Sequence, residues 1–155
     1  MAVFKYRLQN VLDIKLRMED QAKSAFSAAA AKLDEEEKHL QELIGRRNFY
    51  EQEGARIRED VLDINELRDN TRALDKIKEM IEEQQENVKE AEKALEKARA
   101  KLTDAMQERK IHEKLKENSF EEFVHEINTA ESKEVDELVS YTYGERIKKE
   151  ERNNG

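Results

Sequence analysis

The chain has no proline anywhere in its 155 residues, and this constrains its fold more than any other feature of the sequence. Proline ends or kinks an α-helix because it lacks the N–H that the helix needs and its ring clashes with the preceding turn. With only four glycines, the sequence has few other positions at which a helix would stop. Charged residues make up 43% of the chain and aromatic residues 6%, a composition typical of long, thinly packed helices.

Apolar and small residues recur at intervals of three and four residues from Leu8 onward. This alternation is the spacing of a coiled-coil seam, in which every third or fourth side chain faces a partner helix. It predicts a first helix from about residue 4 to about residue 58. The positions of this first stripe are 8, 11/12, 18, 22, 25/26, 29, 33, 40, 43/44, 50, 54 and 57.

A second stripe with a seven-residue repeat starts at Leu67 and predicts a second helix from about residue 66 to about residue 145. We expect its seam to drift past Arg109 and His112 and to resume at Leu115, which implies local unwinding of a supercoil. The tail, residues 146–155, is expected to fray. The second stripe consists of Leu67, Leu74, Ile77, Ile81, Gln84, Val88, Ala91, Leu95, Ala98, Leu102 and Ala105.

The connection between the two stripes carries a helix-capping signal. Asp63 is followed three residues later by Glu66, and an aspartate in this place accepts hydrogen bonds from the free N–H groups of a first helical turn. A turn is therefore expected at about 59–65. Because one short connection makes two helices antiparallel neighbours, the sequence predicts an all-α fold, a single antiparallel two-helix coiled coil over residues 1–155 with a longer, overhanging second helix.

The unequal helix lengths leave part of the second helix without a partner in this hairpin. If the turn centres near residue 61, the numbers of facing residues add up to about 122, so that Phe4 faces Asn118 and everything beyond Asn118 overhangs. Residues 117–139 carry eight acidic residues and one basic residue beside an apolar stripe. An apolar face without a partner indicates an interface. The stripe contains Phe120, Phe123, Ile127, Val135 and Leu138.

Two interpretations of this overhang are open. In the first, it docks into another protein. In the second, it folds back or pairs with a second copy of the chain, as in a self-associating structural scaffold or tether. The net charge of −8 argues against nucleic acid as a partner. The stretch up to Arg17 is locally basic, by about +3, and it starts the coil in preference to lying on an anionic membrane surface.

The composition also excludes several kinds of site. The chain has no cysteine, which removes disulfides, thiolate catalysis and zinc–thiolate centres together. No apolar run approaches the ~20 residues that cross a bilayer, and no signal-peptide pattern follows the first residues. We therefore expect a cytoplasmic protein.

Two Glu-x-x-His pairs, Glu36–His39 and Glu122–His125, have the ligand spacing of di-iron helical bundles. In an antiparallel hairpin the pairs would lie roughly 60 Å apart, at a rise of about 1.5 Å per residue, and would not share a metal ion. Glycine-rich phosphate loops and the Ser/His/Asp or Cys/His arrangements of nucleophilic catalysis are also missing from the sequence. We expect a non-enzymatic protein with no cofactor and no metal site.

The opening stretch FKYRLQNVLDIKLRMEDQAK, from Phe4 onward, resembles the start of the FliJ family of coiled-coil proteins in the bacterial flagellar type III export apparatus. Leu67, Leu74 and Ile77 resemble the family's second-helix start, and RKIHEKLKEN from Arg109 resembles its charged C-terminal pattern. The resemblance implies a stalk in the middle of the hexameric flagellar export ATPase. It also implies contacts with the export-gate membrane protein (FlhA-like) and with export chaperones, at the cytoplasmic face of the inner membrane through these partners.

The resemblance, combined with the hairpin geometry, also suggests where these partners bind. For the export gate it implies a surface early on the second helix. In relatives, positions 70 and 73 are often aromatic, whereas this chain has Asn70 and Ala73. The expected ATPase-binding residues are Lys5, Arg7, Leu8, Leu12, Phe120, Phe123, Ile127 and Leu138, and the expected gate-binding residues are Ala73, Ile77, Met80 and Gln84.

Overall fold

The computed structural model describes residues 2–59, 61 and 63–155. It contains two helices, α1 (Gln9–Glu59, 51 residues) and α2 (Ile64–Asn153, 90 residues), and no strand among the described residues. The helices pack against each other as a hairpin with a longer second helix, which confirms the all-α prediction. Neither helix, over the residues described, holds a segment apolar and long enough to span a bilayer.

The contacts of the hairpin group into two units, which we describe separately. The terminal unit comprises Met1–Leu16 and Glu108–Gly155, and the central unit comprises Arg17–Gln107. In the central unit, Asn70 bonds to Tyr50 and Gln84 bonds to Glu36, so the numbers of each pair add up to 120. In the terminal unit, the ion pair Lys15–Glu108 adds up to 123. These pairs establish antiparallel pairing at the register expected from a turn near residue 61.

The helix ends differ from the ranges expected from the sequence. α1 begins at Gln9 instead of about residue 4, and residues 2–6 are neither helix nor strand. The aromatic and β-branched side chains of this segment have low helix propensity, and Phe4 packs against α2 instead. α2 continues to Asn153, through most of the tail that was expected to fray. The turn expected at about 59–65 includes Asp60 and Leu62, which lie outside the described residues.

The start of α2 is capped as the sequence predicts. Asp63 Oδ1 accepts hydrogen bonds from Asn65 N at 2.9 Å and from Glu66 N at 3.5 Å, and the Asp63 carbonyl accepts one from Leu67 N at 3.1 Å. These bonds satisfy N–H groups that have no partner inside the helix. The cap therefore defines where the second helix begins.

The apolar core is thin and lies in the central unit. Leu43 is 1% exposed and packs with the buried Ile77 and Ile81, against which Leu40, Ile44, Tyr50 and Met80 are partly buried. On α2 the buried residues are Asn70, Ile77, Ile81, Gln84 and Ala91, at steps of seven, four, three and seven. This spacing is that of a coiled-coil seam, and two of its five members are polar.

The seam of α2 does not slip past Leu102, which corrects the expected drift. Half-buried residues follow at unbroken steps of three and four, whereas Leu115 and Phe120 are 44% and 48% exposed. The three- and four-residue repeat of half-buried positions therefore continues past Leu102. Its residues change there from apolar to polar, so the pattern of apolar side chains does not show it. The half-buried positions in question are 102, 105, 109, 112, 116, 119 and 123.

A similar exchange occurs on α1. The first apolar stripe included Met18, but Met18 is 48% exposed and its neighbour Glu19 is 3% exposed. Glu19 forms an ion pair with Lys23 at 3.3 Å, one turn further along the helix. A carboxylate can occupy a buried seam position when it is paired with a charged group. The apolar pattern of the sequence therefore predicted the wrong residue for this position, Met18 instead of Glu19.

Candidate interaction surfaces

Residues 2–8, which we call the N-terminal strap, lie against α2 within the terminal unit. The Phe4 ring contacts Phe120 edge to face, with centroids 5.2 Å apart and planes at 75°, and contacts Phe123 at 5.4 Å and 50°. Such offset arrangements are the favoured geometry of aromatic pairs. The strap therefore covers the first part of the apolar stripe that was expected to be uncovered.

A shallow groove surrounds this aromatic contact. On the strap side it is lined by Lys5, Tyr6 and Arg7, and on the α2 side it is lined by Glu122 and Glu126, among others. The Tyr6 hydroxyl is buried and has no hydrogen-bond partner among the described residues. The groove thus combines an aromatic centre with an acidic wall.

The uncovered part of α2 starts about ten residues later than the sequence suggested. Phe123 and Ile127 are half-buried, and from residue 128 onward every residue except Gly144 is exposed. Val135, Val139, Tyr143 and Ile147 follow one another at steps of four, with exposures of 57%, 63%, 66% and 40%. Side chains at this spacing form one ridge of a helix, which we call the C-terminal ridge. Leu138, 65% exposed, adjoins it.

The residues expected to bind the ATPase fall into three groups by their exposure. Lys5, Arg7, Leu8, Phe120 and Leu138 are exposed, whereas Leu12 is buried at 4% exposure, so Leu12 packs inside the hairpin. Phe123 and Ile127 lie between these extremes. Val139, Tyr143 and Ile147 were not among the residues expected from the sequence, although their four-residue spacing indicates a common helix face.

A polar network centred on Gln84 interrupts the core of the central unit. Gln84 Nε2 donates to the Glu36 carbonyl at 2.8 Å and also to the Glu36 carboxylate. Its Oε1 accepts from Asn87 Nδ2 at 3.2 Å and lies 3.1 Å from His39 Nδ1. Because the two bonds to Glu36 fix the amide orientation, His39 Nδ1 must carry the hydrogen in this contact. All four polar contacts of Gln84 are thus made inside the hairpin.

This placement changes which residues of the expected gate surface are accessible. Ile77 and Gln84 are buried, at 5% and 3% exposure, whereas Ala73 and Met80 are half-buried. Asn70 is also buried, and it donates from Nδ2 to the Tyr50 carbonyl at 2.9 Å.

An exposed aromatic side chain lies close to this point on α1. Phe49 is 56% exposed, and its ring packs edge to face on Tyr50, with centroids 5.6 Å apart. Glu42, Gly45 and Arg46 complete a shallow depression beside the two rings. Because the Tyr50 carbonyl accepts a hydrogen bond from Asn70, this aromatic pair lies level with Asn70 of α2.

The charge state of Glu36 is set by the same network. Lys32 Nζ lies 2.7 Å from Glu36 Oε1, and the hydrogen bonds from Lys32 and Gln84 hold the pKa of Glu36 below its ordinary value of 4.5. The same bond to Glu36 raises the pKa of Lys32. A carboxyl group whose pKa is lowered by folding stabilises the folded chain above the unfolded pKa, and this contribution is lost as the pH falls through the folded pKa.

We therefore expect Glu36→Gln to flatten the acid side of the stability profile. Between about pH 6 and about pH 3, the variant should lose less free energy of unfolding than the wild-type chain, because it has no Glu36 charge to neutralise. Urea unfolding followed by circular dichroism at several pH values measures this. Glu37→Gln removes the same charge from the exposed neighbouring position as a control, and equal slopes for both variants would contradict a role for the network.

The described residues contain no group of three or more His, Asp or Glu side chains placed to hold a metal ion. Of the two Glu-x-x-His pairs, Glu36 and His39 are both bonded to Gln84. The backbone carbonyl of His125 accepts a hydrogen bond from Thr129 Oγ1 at 2.8 Å.

These features define the class of protein: an antiparallel coiled-coil hairpin that exposes apolar side chains along the surface of its longer helix. The chain belongs to the FliJ family, because the family model described as "Flagellar FliJ protein" matches residues 4–148. A solved structure described as that of a proposed YscO homologue from Chlamydia trachomatis is similar, with a TM-score of 0.73 and 27% identity, covering 91% of this chain and 96% of that one. A search among curated proteins found no match. The chain is thus a coiled-coil component related to type III export.

Proposed function

We propose that this protein is a non-enzymatic central stalk of the hexameric flagellar export ATPase and that it links this ATPase to the export gate and to export chaperones. It acts in the cytoplasm, at the inner face of the membrane, through these partners. Membership in the FliJ family supports the export system as its place of action. A two-helix coil presents different side chains to the six subunits of a ring. The stalk would therefore give the ring subunits different contacts, so that they differ in state.

The observation that carries this proposal is the C-terminal ridge on the unpaired part of α2. Its four side chains, with Leu138 beside them, leave 40% to 66% of their surface exposed. An apolar row on a helix without a partner fits an interface, and each such side chain contributes about 1.5 to 3 kcal/mol when it is fully buried. The eight acidic residues between 117 and 139 favour a partner surface with basic residues around an apolar centre.

We place the gate contact on the central unit, at those of the expected residues that reach the surface. Ala73 and Met80 reach the surface in part, whereas Ile77 and Gln84 support them from inside the hairpin. Phe49 supplies the exposed aromatic side chain that Asn70 and Ala73 do not offer. Pull-down of the gate protein's cytoplasmic domain by the Phe49→Ala chain tests this placement, and undiminished capture would contradict it.

The double variant Val139→Ser with Tyr143→Ser tests the ATPase proposal. We expect it to weaken binding to the export ATPase at least about tenfold, because two side chains worth over 1 kcal/mol each lose their burial in the complex. Binding to the purified ATPase and stimulation of its turnover are the measurements. Helix content and thermal unfolding should stay unchanged, since both residues are exposed at 63% and 66% in the free chain.

The matched control is Ile111→Ser with Leu115→Ser, which makes the same kind of change at the same spacing on the same helix. These residues are 55% and 44% exposed and lie outside the ridge, so this variant should bind the ATPase normally. Equal binding by wild type and both double variants would contradict the proposal. A dimer of the wild-type chain that the ridge variant dissociates would favour the self-associating scaffold instead.

A further inference from the structure

The N-terminal strap is bound to α2 in the manner of a separate non-helical peptide. Residues 2–6 are neither helix nor strand, and the strap contacts α2 through the Phe4 ring. The backbone hydrogen bonds of the strap within the described residues, Gln9 N to the Tyr6 carbonyl and Leu12 N to the Leu8 carbonyl, stay inside the N-terminal segment. Side-chain contacts alone therefore hold the strap on α2.

The strap fits this groove imperfectly. The Tyr6 hydroxyl is buried without a hydrogen-bond partner, and a buried polar group of this kind costs free energy that it would not cost in water. None of the ion pairs among the described residues involves Lys5, Arg7, Glu122 or Glu126, although all four line the groove. The closed arrangement thus leaves the hydroxyl without a hydrogen bond and the carboxylates of the acidic wall free to form ion pairs.

The slot between the two α2 rings also has space left. Phe120 remains 48% exposed with Phe4 in place, so a larger aromatic surface could be buried there. The seated Phe4 shows what the slot accepts, which is an aromatic ring carried on a segment that is neither helix nor strand. The surrounding stretch, residues 117–139, has eight acidic residues and one basic residue and therefore favours a positively charged peptide.

We infer that the slot formed by Phe120 and Phe123 is a binding site for a non-helical segment of another protein that carries an aromatic residue next to basic residues. In the free chain the strap occupies this slot, with its own Phe4, Lys5 and Arg7 imitating such a segment. Because the strap is covalently attached, it competes at an effective concentration in the millimolar range. A partner segment that pairs with Glu122 and Glu126 displaces the strap.

This site is distinct from the C-terminal ridge, and its test needs no ATPase, so either proposal can fail while the other holds. The probe is a synthetic peptide with the sequence of residues 2–9, AVFKYRLQ, added to the isotope-labelled full-length chain. Chemical-shift changes in the nuclear magnetic resonance spectrum report weak binding and identify the residues involved. The variant Phe4→Ala empties the slot, and Val3→Ala, at a position that is 74% exposed, is the matched control on the same strap.

We expect the Phe4→Ala chain to bind the peptide at least about tenfold more tightly than the wild-type and Val3→Ala chains, because the tethered competitor is weakened. The shifts should centre on residues 119–126, and they should vanish when Phe120→Ala and Phe123→Ala are added. A peptide with alanine in place of its phenylalanine should not bind. Circular dichroism checks that each variant keeps its helix content.

Tyr6→Phe gives a second, opposite test. It removes the unsatisfied hydroxyl, so the strap should close more firmly and the peptide should bind at least about twofold more weakly than to wild type. Equal peptide binding by the wild-type and Phe4→Ala chains would overturn the inference, as would tighter binding by Tyr6→Phe. A wild-type dimer that Phe4→Ala dissociates would also overturn it, because the strap of a second copy would then be the occupant.

Discussion

Replacing Leu43 with alanine is expected to lower the free energy of unfolding by about 2 to 5 kcal/mol. Leu43 is 1% exposed and packs with Ile77 and Ile81 in the apolar core. Truncation removes buried methyl groups and leaves a cavity, and a core of so few residues has little else with which to compensate. Much of the stability of the chain therefore depends on this one layer of the central unit.

Urea unfolding followed by circular dichroism measures the loss, and hydrogen exchange measures where it falls. Amides close to Leu43, Ile77 and Ile81 should lose most of their protection, because each part of a helical hairpin is held mainly by the residues directly across from it. The control is Leu16→Ala, the same substitution on the same helix at a position that is 38% exposed. Comparable losses in the two variants would show that Leu43 does not anchor the core.

The second large effect concerns the contact between Gly54 and Asn70. A Cβ atom at Gly54 would lie 2.6 Å from Asn70 Oδ1, closer than two such atoms can approach. Asn70 is buried and bonded to the Tyr50 carbonyl, so turning its amide away from Gly54 would break this hydrogen bond. We expect Gly54→Ala to destabilise the chain by about 1 to 3 kcal/mol, since overpacking and the broken hydrogen bond outweigh a helix-propensity gain of about 1 kcal/mol.

A double-mutant cycle separates these contributions. In the Asn70→Ala background the obstructing amide is gone, so Gly54→Ala should become neutral or stabilising by up to about 1 kcal/mol. The coupling free energy between the two positions should then be about 1 to 4 kcal/mol, which overlaps the range observed for residues in contact. Stabilisation by Gly54→Ala in the wild-type background would show that the helices move apart easily at this point.

The position of Asn70 connects this contact to the proposed gate surface. An aromatic side chain at position 70 could not occupy the space that Asn70 fills beneath Gly54 without moving the helices apart. The exposed aromatic side chain at that level is Phe49 on α1, at 56% exposure. The contact between the helices is therefore small and polar at this level, and the aromatic surface lies beside it on α1.

The expected hairpin was accurate where local chemistry decides the structure. The Asp63 cap follows from a side chain that reaches its own helix's first N–H groups, and nothing distant is needed. The antiparallel register follows from the position of the turn, because two long helices joined by a short connection have little freedom to slide. The repeat was lost where polar residues such as His112 and Lys116 occupy the seam, since hydrophobicity was the only guide.

By itself, the sequence determined two uninterrupted helices, the start of the second helix, the side on which they pair and the family to which the chain belongs. Periodicity, capping and the absence of proline are all properties of neighbouring residues, and so they can be read locally. Only the tertiary structure decided that Glu19 rather than Met18 is buried, that Gln84 is bonded inside the hairpin, and that Phe4 covers Phe120 and Phe123. These outcomes depend on contacts between residues more than forty positions apart in the sequence, or on a segment that is not part of the helix. No local sequence pattern specifies such contacts.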